Sequence, residues 1–103
     1  QALLAGLTEG DAAAVLARLT AMFGSLAGRA FATDRTDGLR ITFDGGDIIH
    51  LRPSGNAPEL RCYTESDSED RAAWLGEQVL HLLRHRTDAP PAVQPDLSAA
   101  AQP

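Results

Sequence analysis

Two alternating apolar/polar segments, 47–51 and 59–65, flank one loop rich in Arg, Pro and Gly, and this constrains the chain more than any other feature. The alternation is that of half-buried strands, so the pair predicts an antiparallel hairpin. The connecting stretch reads Arg52-Pro53-Ser54-Gly55-Asn56-Ala57-Pro58-Glu59-Leu60-Arg61. Its residue types suit an anion. Arg52 offers a planar fork of donors that matches two phosphate oxygens. Ser54 and Asn56 add a hydroxyl and an amide, and Gly55 lets successive backbone N–H groups converge on one point. Pro53 and Pro58 stiffen the ends, which lowers the ordering penalty on binding. By composition alone an ordinary hairpin turn is the simpler reading, because Pro, Ser, Gly and Asn dominate such turns.

The rest of the chain surrounds this hairpin with a small α+β domain. Val15, Leu16, Leu19, Met22 and Phe23 fall on one helical face, with Asp11 as the expected N-cap and Gly24 as the expected stop. Residues 29–34 are the weakest strand, with Phe31 as their one strong strand former. In 39–43, Leu39, Ile41 and Phe43 share a face, and Asp44-Gly45-Gly46-Asp47 reads as a tight turn. Ile49 and Leu51 oppose His50 and Arg52, while Leu60, Cys62 and Thr64 oppose Glu59, Arg61 and Tyr63. A second helix follows, with Ser66 and Glu69 expected as a capping box and Ala72, Leu75, Val79, Leu82 and Leu83 as its buried stripe. The order helix, four strands, helix predicts a four-stranded antiparallel sheet with two helices on one face. Arg40, His50, Arg52, Arg61 and Tyr63 should then share the opposite face.

Order and spacing carry the reading further. The run 52–63, the earlier Asp37-Gly38-Leu39-Arg40-Ile41-Thr42-Phe43 and the helical Asp11-Ala12-Ala13-Ala14-Val15-Leu16 together resemble the C-terminal domain of the α-D-phosphohexomutases. The similarity extends over residues 11–85 and is closest to the bacterial phosphomannomutase and phosphoglucomutase form. It implies the TATA-binding-protein-like fold of that domain, without the DNA binding of its namesake. It also implies that Arg52, Ser54, Gly55 and Asn56 bind the phosphate of a hexose phosphate, mannose or glucose 1- or 6-phosphate, with Arg61 as the least secure member. The commonest family loop reads Ser-Gly-Thr-Glu-Pro, so Asn56 and Ala57 depart from it. Asn56 keeps a donor, which predicts binding with altered geometry.

The resemblance covers only the last of the family's domains. The phosphorylated serine, the Asp-rich magnesium loop and the sugar-reading Gly-Glu-x-Ser-Gly loop belong to the others, and none of these motifs occurs here. Magnesium and catalysis are therefore expected in the parent enzyme's other domains, with no cofactor bound by this chain and no activity from it alone. The opening Gln1 fits a piece of a longer protein. The expected organisation is a connection from a preceding domain over 1–10, the phosphate-binding domain over 11–86, and a flexible Pro/Ala-rich tail over 87–103. A stand-alone module that senses a phosphorylated metabolite or docks on a protein is the alternative reading.

Composition removes several other classes. A chain of 103 residues with 44% hydrophobic content suits one small globular domain. Its net charge of −5 argues against nucleic-acid binding, and its apolar runs are too short to span a bilayer. The single cysteine, Cys62, cannot form an internal disulfide and fits a buried strand position, consistent with a cytoplasmic protein. His81 and His85 lie one helical turn apart but lack a third ligand in a recognisable spacing. The acidic run Glu65, Asp67, Glu69 and Asp70 is accounted for by a helix start, and Ser54 has no neighbouring base to make it a nucleophile.

Overall fold

The computed structural model describes residues 2–53, 60–85, 93–95 and 100–101. Within them the chain runs α1 (Ala2–Leu7), α2 (Ala12–Ala27), β1 (Ala30–Asp34), β2 (Leu39–Phe43), β3 (Ile48–Pro53), β4 (Leu60–Ser66) and α3 (Glu69–Arg84), followed by two short strands, β5 (Val93–Pro95) and β6 (Ala100–Ala101). Strands β1 to β4 form an antiparallel meander in sequence order, as the alternation predicts. The architecture is the α+β arrangement expected, with helices on one face of the sheet.

Packing follows from the strand period. Leu39, Ile41, Phe43, Ile49, Leu51 and Cys62 point to one face and are buried there. Val15, Leu19 and Phe23 of α2 and Leu75, Val79 and Leu83 of α3 close over them. Phe23 meets Phe43 edge to face, with ring centroids 6.4 Å apart and planes at 90°. Gly76 lets α3 sit close to β4, since a Cβ there would stand 3.1 Å from the Thr64 hydroxyl. That hydroxyl donates to the Ala72 carbonyl at 2.6 Å and so satisfies a buried polar group.

Several boundaries differ from expectation. Asp11 caps α2 as predicted, accepting from the Ala14 amide at 2.9 Å. The helix continues through Gly24 and stops at Gly28, whose φ of +90° supplies the terminating turn. The extra turn carries Ala27 into the core. Residues 2–7, expected as a plain connection, form a short helix with Leu7 buried in the core cluster. Arg18 holds the junction by donating to the carbonyls of Leu7 and Glu9.

Helix α3 begins two residues later than the predicted capping box. Ser68, not Ser66, is its N-cap and accepts from the Arg71 amide at 3.1 Å. Ser66 still belongs to β4, where its hydroxyl donates to Asp47 at 2.6 Å. Leu80 joins the buried stripe, and Leu82 is only half-buried. In the expected tail, Val93–Pro95 and Ala100–Ala101 pair in parallel with β4. The remainder of 86–103 lies outside the described residues.

Candidate functional site

The hairpin β3–β4 places the candidate residues. Its register sets Arg52 directly opposite Arg61 and Pro53 opposite Leu60, so the loop opens immediately beyond this pair. Ser54, Gly55 and Asn56 lie outside the described residues. What the structure defines is the base of the loop, where two arginines, Arg52 and Arg61, stand at directly opposed strand positions. Like charges directly opposed across a sheet repel each other, and an anion between them converts that repulsion into attraction. Arg61 is exposed, and Arg52 is half-buried.

Arg52 is held by a second loop at the same end of the sheet. The chain between β1 and β2 passes so close to β3 that Gly38, at φ +74°, leaves no room for a side chain: a Cβ there would overlap the Leu51 carbonyl oxygen and the Arg52 Cα. This approach brings Asp37 beside Arg52, with Oδ2 2.9 Å from Nε. The His50 ring Nε2 donates to the Asp37 carbonyl at 2.6 Å, which fastens the same loop a second time. On the other flank, Arg52 Nη1 donates to the Tyr63 hydroxyl at 3.2 Å, and its guanidinium carbon lies 5.5 Å from the Tyr63 ring centre. The neighbouring Asp37 carboxylate pushes the Arg52 pKa up, so this group is a cation throughout the working pH range.

The predicted exposed face is present. Arg40 stands opposite His50, and His50 opposite Tyr63 with ring centroids 5.7 Å apart. Arg40 pairs with Glu65 at 2.9 Å, which directs its charge away from the loop end. Asp34, Thr36, Asp37, Arg40 and His50 line a depression of about 100 Å³ next to Arg52. Sequence reasoning missed Asp37 as a partner of Arg52. The available signal was Gly38: a glycine just before β2 marks a turn at the loop end of the sheet, where the backbone can approach β3.

Glu69 and Asp70 occupy the first turn of α3, and Asp67 accepts from Ser66. The His81 and His85 rings lie 4.3 Å apart. No cluster of three or more metal-ligating side chains occurs among the described residues. Burial pushes the Cys62 thiol up to about 12, so the side chain is an inert core group. Among the described residues no helix is long and apolar enough to cross a membrane.

Comparison with known proteins shows the class to which this α+β domain belongs. The chain belongs to the family of phosphoglucomutase/phosphomannomutase C-terminal domains, whose model matches residues 5–82. It is 61% identical over 56 residues to a phosphomannomutase of Sinorhizobium fredii, covering 54% of this chain and 12% of that protein. A phosphomannomutase of Salmonella muenchen is 57% identical over 54 residues, 52% of this chain and 11% of the relative. Across 75 residues, 73% of the chain and 16% of the relative, it is 34% identical to a phosphoglucomutase/phosphomannomutase of Thermococcus kodakarensis. The chain thus spans a small fraction of the length of the curated relatives it matches. No solved structure matches it.

Proposed function

We propose that this chain is the phosphate-holding domain of a phosphomannomutase or phosphoglucomutase, and that the β3–β4 loop grips the spectator phosphate of a hexose phosphate. The observation that carries this reading is the facing pair Arg52 and Arg61 at the base of the loop. In such an enzyme a phosphoserine elsewhere in the protein donates its phosphoryl group to the sugar, making a bisphosphate. The sugar then turns and returns its other phosphate. Each half needs the non-reacting phosphate held still while the other is in flight, because catalysis of phosphoryl transfer rests on positioning and charge stabilisation.

In this division of labour Arg52 supplies the charge-assisted hydrogen bonds, Arg61 adds a second positive charge, and Ser54, Gly55 and Asn56 complete the cradle. Magnesium and the reacting serine act in other domains, and this chain alone has no mutase activity. Movement of the domain as a lid closes the site on substrate and opens it for the intermediate to turn. Replacing Arg52 by Ala in the parent enzyme should lower kcat/KM about tenfold to a hundredfold, the loss expected for a charged hydrogen-bond donor to a phosphate. Steady-state kinetics with mannose 1-phosphate and glucose 1-phosphate checks it. An unchanged kcat/KM for both sugars would refute the assigned role.

A further inference from the structure

We propose that Asp37 is an internal competitor for Arg52, a carboxylate that neutralises the guanidinium in the empty site and gives it up to an incoming phosphate. The inference rests on the phosphate-binding role of Arg52 proposed above and adds a residue from a different loop to that site.

The geometry supports competition over permanent support. The Asp37 Oδ2 lies 2.9 Å from Arg52 Nε, close enough for an ion pair. Yet Nε is buried and has no aligned hydrogen-bond acceptor among the described residues. The contact therefore compensates charge without satisfying the donor. A buried donor in that condition gains from any acceptor that can align with it. A phosphate oxygen is such an acceptor, and the side-on edge of the guanidinium that Asp37 covers is one of the edges suited to two-point phosphate binding.

Asp37 is also free to yield. Its side chain is 58% exposed, so releasing Arg52 returns the carboxylate to water and leaves no buried charge behind. The loop does not move with it, because the Asp37 backbone carbonyl stays on His50 and Gly38 stays packed on β3. Tyr63 keeps the other edge of Arg52 oriented throughout the exchange. The carboxylate further opposes a phosphate dianion through its own charge. Its effect is to weaken ground-state binding, which favours release in an enzyme whose bisphosphate must let go and turn.

The test is the affinity of this chain for inorganic phosphate, followed through the amide signals flanking the loop, in wild type, Asp37→Asn, Arg52→Ala and the double variant. Asp37→Asn should tighten phosphate binding about fivefold, the scale of one exposed ion pair. In the Arg52→Ala background the same change should tighten it much less, because the competition is for that guanidinium. Asp37→Ser serves as a second replacement, and unchanged amide signals at His50 and Leu51 show that the loop is still fastened. Phosphate binding that depends on Arg52 but is equal or weaker in both Asp37 variants would overturn the competition while leaving the site intact. Tightening of equal size with and without Arg52 would reduce Asp37 to a general repulsive charge and also overturn it. Wild-type binding that does not depend on Arg52 would overturn the site itself, and this inference with it.

Discussion

Gly38 shows how much can rest on the absence of one side chain. Its φ of +74° disfavours any L residue, and an added Cβ would overlap the backbone of Leu51 and Arg52. Gly38→Ala therefore adds backbone strain to a clash that neither strand relieves without moving. The expected destabilisation is about 2–4 kcal/mol in chemical denaturation, more than a simple Gly→Ala change at an open position. Because the same approach sets Asp37 against Arg52, the variant should also disturb the amide signals of His50, Leu51 and Arg52. A stability within about 0.5 kcal/mol of wild type would show that the β1–β2 connection is not packed on β3. Sequence alone offered the glycine and the aspartate as part of a resemblance. It did not show their partner, since a contact between two loops at one end of a sheet depends on strand register.

At the scale of elements, the fold is tied at the opposite end by a buried carboxylate. Asp47, at the turn between β2 and β3, accepts from Ser66 at the end of β4 and from both Nε and Nη2 of Arg71 in α3. Arg71 also donates to the Leu26 carbonyl near the end of α2, and its guanidinium lies 5.3 Å from the Trp74 ring centre. One ionic network thus joins both long helices to the sheet. Burial works against the Asp47 charge, but the hydrogen bonds from Arg71 and Ser66 prevail and hold its pKa below the ordinary 3.8. The folded pKa is lowered, so the stabilisation is fully present above about pH 4 and is lost as pH falls through the folded value. Urea midpoints should show Asp47→Asn destabilised by about 1–3 kcal/mol at neutral pH, with the gap to wild type narrowing below about pH 4. A gap independent of pH would mean that packing, not charge, carries the effect.

The same network explains why one boundary was misread. Ser66 followed three residues later by Glu69 has the form of a capping box, but Ser66 is drawn into β4 by Asp47, nineteen residues away in sequence. The cap falls to Ser68, whose hydroxyl accepts from the Arg71 amide. Gly24 was misread for a related reason. A glycine is a good helix stop only if the chain turns there, and burial of Ala27 favours one more turn. Local signals placed these elements correctly in type and order, while tertiary contacts decided where they ended.

For the whole molecule, the strand period did most of the work. Alternation put Leu39, Ile41, Phe43, Ile49 and Leu51 on the buried face and Arg52 and Tyr63 on the other, and the four-stranded meander followed from short turns. The pairing of Arg52 with Arg61 was not legible as such, because it requires the register and not only the two strands. Family membership over residues 5–82 agrees with that architecture.

The most direct test is an amide NMR titration of this chain with mannose 1-phosphate, using inorganic phosphate and plain mannose as controls. The account predicts shifts at Arg52, Ser54, Gly55, Asn56 and Arg61 with both phosphates, and none with mannose. Shifts produced equally by mannose, or centred on the groove that Leu16, Thr20 and Phe31 line between α2 and β1, would contradict it.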